Sequence, residues 1–208
     1  MVKIKKSKQN KRCTKKFFHL FFNGAVAEPQ YFANFNNLSA NFVIKLHKVG
    51  NDKSESPWQL IDRAIETKLK LEPDDKDDDQ FWCIFDIDDY FTQNKDNFTV
   101  ATKEAEQHKI NLGFSNRCFE LWYLLHFEYC DIAMSCKDYD KKLRQHFKKI
   151  NFNYKKNANV FKILQIMQKN AIKNGENLAL KNFNFYSNPS TNIFNLVKKL
   201  NENLYYGN

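Results

Sequence analysis

Residues 81–89 read Phe81-Trp82-Cys83-Ile84-Phe85-Asp86-Ile87-Asp88-Asp89, an apolar run that passes straight into carboxylates. Five apolar residues without polar alternation describe a strand buried on both faces, the kind that parallel sheets use. Open α/β sheets bind their ligands at the carboxyl ends of such strands, where these acids fall. In an extended chain Asp86 and Asp88 project to one side, so both can reach a single Mg²⁺, while Asp89 points away. A DxD triplet also arises where Asp merely ends a strand, so its meaning depends on what surrounds it.

Upstream, Phe17-Phe18-His19-Leu20-Phe21-Phe22 is a second continuous apolar run, closed by Asn23-Gly24. Pro29 suits a first helical turn and opens a short helix through Tyr31, Phe32 and Phe35. Asn41 to Val49 alternates Phe42, Ile44 and Leu46 with Lys45 and His47 and reads as a strand. Ser56-Pro57-Trp58-Gln59 carries a capping residue, a proline at the first position and Gln three residues after Ser, a helix start. Downstream of the DxD, a helix over Asn97 to His108 precedes a strand near Ile110 to Phe114. The β-α-β-α-β-α-β order predicts an α/β fold with a parallel, Rossmann-like sheet and helices on both faces. Cys118 to Phe127 is apolar nearly all round and predicts a buried helix. Beyond Lys137 the pattern is basic and helical over Tyr139 to Ile150, Asn159 to Asn174 and Thr191 to Leu204. Gly175 is expected to stop the second of these helices and Ser190 to cap the third. The organisation expected is a basic arm over 1–16 and one domain over 17–208. Its core spans about 17–130, with a helical extension over about 137–208.

At 208 residues, 42% of them hydrophobic and with only 5 Gly and 4 Pro, the chain suits one core built from long regular elements. The net charge of +9 is unevenly spread: Met1–Lys16 carries +8, Phe17–Asp140 carries −10 and Lys141–Asn208 carries +11. An acidic middle between basic ends suits metal ions beside a surface that attracts nucleic acid, though a solvated surface has the same composition. No apolar run nears the ~20 residues of a membrane span, and the basic start lacks the apolar stretch of a secretory signal. The five cysteines, Cys13, Cys83, Cys118, Cys130 and Cys136, show no CxxC pairing. They read as reduced thiols of a cytoplasmic protein and argue against zinc.

Glu120 is the only acid between Arg117 and Phe127, in a helix otherwise nearly all apolar. A lone buried carboxylate is costly unless it is paired or binds metal. His126 either orients a phosphate or hydrogen-bonds within the core. The acids Asp74, Asp75, Asp77, Asp78 and Asp79 lack the glycine and ligand spacing of a calcium loop and read as a solvated loop. There is no P-loop, GxSxG or Rossmann glycine fingerprint.

Three segments resemble the RloB-like proteins, a group of Toprim-type bacterial defence proteins. They are Phe22-Asn23-Gly24-Ala25-Val26-Ala27-Glu28-Pro29-Gln30-Tyr31-Phe32, the Asp86-Ile87-Asp88 triplet with its flanks, and Ser115-Asn116-Arg117-Cys118-Phe119-Glu120-Leu121-Trp122-Tyr123-Leu124-Leu125-His126-Phe127. Asn188-Pro189-Ser190-Thr191-Asn192 is similar to the family's entry into its last helix. The resemblance implies a Toprim sheet on which a Glu after the first strand and a DxD after a later one surround Mg²⁺ or Mn²⁺. Asp86 and Asp88 match that DxD, Glu120 matches a third family carboxylate, and Lys155 or Lys156 would contact the scissile phosphate. It further implies cleavage of DNA or RNA in anti-phage defence, as effector of a partner ATPase of the ABC type.

One position departs from the family. Asn23 stands where Glu precedes Gly, and an amide cannot shuttle a proton at neutral pH. Glu28, five residues on, reaches the site if the turn is tight. Otherwise the chain is a weakened enzyme, or a nucleic-acid-binding or sensor module that kept the fold. A phosphotransferase using Asp86 as nucleophile is the third reading, disfavoured because its DxD would follow the first strand, not the third.

Overall fold

A computed structural model describes residues 15–48, 55–71, 78–87, 94–181 and 184–205. Residues 1–14 of the basic arm, Asp88, Asp89 and the acids at 74, 75 and 77 lie outside these. Five strands form one sheet in the order β2-β1-β3-β4-β5: β1 Lys16–Phe22, β2 Phe42–His47, β3 Gln80–Asp86, β4 Asn111–Asn116 and β5 Ser190–Thr191. The first four run parallel, and β5 pairs antiparallel with β4. The sheet is flanked by helices on both faces, the α/β architecture that the strand–helix order predicts.

Strand alternation explains the uninterrupted apolar runs. Phe18, Leu20 and Phe22 of β1 and Trp82 and Ile84 of β3 face one core, while Phe21, Phe81, Cys83 and Phe85 face the other. The second core is closed by α2 Pro57–Leu69 and α3 Lys95–Gln107, through Leu60, Ile61, Ala64, Phe98 and Ala101. The first core is closed by α1 Ala27–Ala33, α4 Glu120–Leu124, α5 Cys136–Lys149, α6 Phe161–Ile166, α7 Gln168–Lys181 and α8 Ile193–Tyr205. At its centre the Tyr31 ring meets Phe32, Phe35, Phe119 and Phe161. Each such fully buried aromatic contributes about 1.5–3 kcal/mol relative to exposure. The basic helices therefore share the core of β1 and β3.

Local signals set several boundaries. Ser56 caps α2 with the reciprocal Gln59 box expected of it. An equivalent box, Ser135 with Asp138, opens α5. At the sheet edge the Asn192 side chain takes the place of a strand neighbour. Its Oδ1 accepts the Phe114 N–H at 2.8 Å, and its Nδ2 donates to the Leu112 carbonyl at 2.8 Å.

Four expectations are corrected. The predicted helix over Cys118–Phe127 is α-helical only over Glu120–Leu124, with three-residue turns on either side. The one expected over Asn159–Asn174 is two helices that meet at Met167. Gly175 does not stop α7. It lies inside the helix, where a Cβ would stand 2.8 Å from Phe194 Cδ1, so it permits close approach of α8. Ser190 is not the cap of the last helix but a strand residue paired with Asn116. The thiol reading changes as well: Cys118 is joined to Cys136 by a disulfide, while Cys83 and Cys130 are free and buried. No helix among the described residues is long and apolar enough to cross a membrane.

The Gly175 contact makes a stability prediction. Gly175→Val forces a branched side chain against the buried Phe194 ring, and overpacking of this kind costs about 2–3 kcal/mol. Urea unfolding should show a lower midpoint with an unchanged slope.

Candidate functional site

The order β2-β1-β3 means that the chain leaves β1 towards one edge and later returns on its other side. The carboxyl ends of β1 and β3 therefore form a topological switch point, where α/β sheets hold ligands. The Asn23 N–H donates to the Ile84 carbonyl at 3.3 Å, prolonging the β1–β3 ladder into the turn. Asp86 ends β3 level with Ser115 of β4 and is half-buried. Trp82 and Ile84 face the α1/α4 core, so strand alternation directs Asp86 to that same side.

The turn after β1 is tight. Glu28, in the first turn of α1, folds its carboxylate back over Gly24. A Cβ on Gly24 would collide with both carboxylate oxygens. Gly24 is thus needed for its missing side chain and not for an unusual φ, since none of the described glycines has positive φ. Glu28 is only 6% exposed and Glu120, the first residue of α4, only 4%. Burial pushes the Glu28 carboxyl above its usual range. A backbone hydrogen bond lowers it, the charge of Glu120 raises it, and Lys156 lowers it. Lys156 reaches in from solvent, with Nζ 3.6 Å from Glu120 Oε1. Glu28, Glu120 and Lys156 are thereby brought together at the end of β1, beside Asn23. Lys155 is exposed.

Two tyrosines that sequence reasoning passed over belong to this neighbourhood. The Tyr123 hydroxyl donates to the Ala27 carbonyl at 3.2 Å, tying α4 to the start of α1. Burial, then the charge of Glu28, holds its phenol well above the ordinary value. Tyr154 is buried with no hydrogen-bond partner for its hydroxyl among the described residues, and burial followed by Glu120 raises its phenol. Their signals were present: Tyr123 lies one helical turn from Glu120, and Tyr154 directly precedes Lys155-Lys156.

His126 takes the core role of its two expected ones. It is 1% exposed, Nδ1 lies 2.9 Å from the Trp122 carbonyl, and its ring meets Trp122 and Tyr31 edge-on. Burial lowers its pKa to about 4, so it is neutral at pH 7 and Nδ1–H is the donor. A cleft of about 260 Å³ adjoins Glu120, lined also by Cys136, Lys137, Asp140, Arg144 and Lys156. A larger cavity of about 680 Å³ lies at the opposite end of the strands, around Asp79, Gln80 and Asn111, away from these carboxylates.

Paired buried carboxylates compensated by one lysine form the hard-oxygen donor chemistry that Mg²⁺ or Mn²⁺ takes. Among the described residues no three His, Cys, Asp or Glu side chains gather as an ion site, and Asp88, the second acid of the DxD, lies outside them.

Fold and site together define an α/β protein with an acidic, lysine-compensated cluster at the switch point of a parallel sheet. The chain belongs to the RloB-like family, whose model, described as RloB-like protein, matches residues 18–200. No curated protein and no solved structure gives a significant match.

The Glu28 environment has a pH signature. A carboxyl whose folded pKa is raised favours folding at low pH, and that stability is lost as pH climbs from the ordinary carboxylate value through the raised one. Glu28→Gln should remove this dependence and stabilise the chain at neutral pH by about 1 kcal/mol or more, the cost of an incompletely satisfied buried charge. Thermal unfolding of both forms from pH 4 to 8 checks it.

Proposed function

We propose that the chain is a Mg²⁺- or Mn²⁺-dependent Toprim-type nuclease that cuts DNA or RNA in anti-phage defence. The observation that carries this reading is the pairing of two buried carboxylates, Glu28 and Glu120, at the carboxyl end of β1 on the face towards which Asp86 is directed. Two such groups beside one lysine are expensive as structure alone, because desolvating charge costs several kcal/mol per ion. A site that recruits a cation offsets that cost.

In this reading Asp86, Asp88 and Glu120 hold the ion. When bound, it supplies Lewis-acid stabilisation of the charge that develops on the phosphate. Glu28, its carboxyl raised by burial, takes a proton at a carboxylate oxygen from the attacking water and later returns one to the leaving oxygen. Asn23 cannot do this, but its amide orients the water or the phosphate. Lys156 turns from Glu120 to the phosphate when substrate enters, a motion that its 65% side-chain exposure permits. The chain has no P-loop, so nucleotide-driven control belongs to a separate ABC-type ATPase.

Asn23 favours a second reading, a nucleic-acid-binding or sensor module with weakened catalysis. Against it stands the fold-back of Glu28 over Gly24, which returns a carboxylate to the turn that lacks one.

Labelled DNA and RNA oligonucleotides with Mn²⁺ or Mg²⁺ test the nuclease reading. Cleavage should vanish on chelation and fall about 10²–10⁴-fold in Glu28→Gln, the usual contribution of positioned proton transfer. Asp86→Asn and Glu120→Gln should weaken the ion and the rate together. Gly24→Ala should lower the rate by displacing Glu28, whereas Asn23→Glu should raise it unless Glu28 already carries the role. If neither the parent nor Asn23→Glu cuts with the ATPase present, the binding reading replaces this one.

Binding is tested separately. Residues 136–156 carry eight basic and two acidic residues, and Lys148 and Lys149 are exposed at the end of α5. Affinity for a labelled oligonucleotide should fall steeply with salt. The double variant Lys148→Ala/Lys149→Ala should reduce the log–log slope by about one to two.

A further inference from the structure

Cys118 and Cys136 are bonded to one another, with Cα atoms 6.1 Å apart and a sequence separation of 18. Cys118 is buried two residues before Glu120. Cys136 is the first residue of α5, is half-buried, and lines the cleft that holds Glu120 and Lys156. The bond therefore spans the two elements between which that cleft lies, and the segment it closes contains Glu120 and Tyr123. The other described cysteines, Cys83 and Cys130, are unbonded and buried.

We propose that the Cys118–Cys136 bond is a redox-responsive latch on the Glu120 cleft. Bonded, it holds the turn that carries Glu120 against the first turn of α5. Reduced, it lets the two elements separate and widens the cleft towards the basic face of α5. The effect on nucleic acid rests on the functional reading above, while the latch chemistry does not.

The physical basis is distance and access. Once the bond is cut, only non-covalent packing holds the two elements together, so they are free to part at the cleft. Exchange needs a sulfur that an attacking thiolate can reach, and Cys136 lies in an open cleft while Cys118 does not. A small-molecule thiolate attacks Cys136 Sγ and the Cys118–Cys136 bond breaks. Cys118 leaves as a thiolate and takes a proton. A second small thiol then attacks the mixed disulfide, Cys136 departs and is protonated, and the two small thiols leave as their disulfide. The protein gains two electrons and two protons, and the reverse reaction uses a small-molecule disulfide as oxidant.

The full chain, equilibrated with oxidised or with reduced glutathione, tests this. After alkylation, peptide mapping should find Cys118 and Cys136 bonded in the oxidised sample and both labelled in the reduced one. Hydrogen exchange of amides over residues 118–125 and 136–142 should be about tenfold or more faster after reduction, the mark of local opening. Cys136→Ser and, separately, Cys118→Ser should show the faster exchange in both buffers. Affinity for a labelled oligonucleotide should differ at least threefold between the two redox forms of the parent. Free thiols in both buffers, or exchange that is the same in both, overturns the latch. A bond that changes exchange but not oligonucleotide affinity overturns its action on the cleft. Redox-dependent exchange in a chain that neither binds nor cuts any oligonucleotide leaves the latch standing and sinks the nuclease reading, so the two failures are distinct.

Discussion

β1 is paired on both edges and buried on both faces, and the placement of nearly everything else follows from it. A strand in that position exposes little surface, so apart from Lys16 at its start and His19, which meets His47 and Asp79, its residues are apolar, and its polar backbone is satisfied by β2 and β3. Phe18, Leu20 and Phe22 then commit one face to α1 and the C-terminal helices, while Phe21 commits the other to α2 and α3. Because β2 and β3 flank it on opposite sides, the chain diverges where β1 ends. Asn23, Gly24 and Asp86 are delivered to one place by this topology, although more than sixty residues separate the turn from Asp86.

At that place the energetics change character. The core beneath is aromatic and close-packed, yet Glu28 and Glu120 are withdrawn from water beside each other, with Lys156 reaching Glu120 from solvent. Burial, and then the charge of Glu120, raises the cost of ionising Glu28. The same region holds the buried phenols of Tyr123 and Tyr154, whose ionisation burial and then the carboxylates oppose, so these remain neutral near the acids. Polar groups concentrated where a core could have been apolar reduce stability, and function is the usual reason for retaining them.

The strand runs, the capping box at Ser56 and the buried acid at Glu120 could be read along the chain because their signals are local. Two-faced burial leaves a continuous apolar run, a cap needs residues three apart, and a charge in an apolar helix stands out against its neighbours. Gly175 and Ser190 were misread for the converse reason. A glycine after a helical pattern and a serine before one carry the usual terminal signals, but the first is used for the approach of Phe194 and the second for pairing with Asn116. Cys118 and Cys136 have no spacing that announces a pair, because α4 and α5 come together only through the shared core.

By itself the sequence determined the α/β class, the parallel sheet, the membership suggested by its three motif segments, and the residue types available for chemistry, since each depends on periodicity or on neighbours in the chain. Tertiary structure decided which of those residues meet. It folded Glu28 over Gly24, set Lys156 against Glu120, sealed His126 among aromatic rings as a neutral core donor, and joined Cys118 to Cys136. Such pairings arise from packing between elements distant in the chain, and a one-dimensional pattern carries no record of the distance between them.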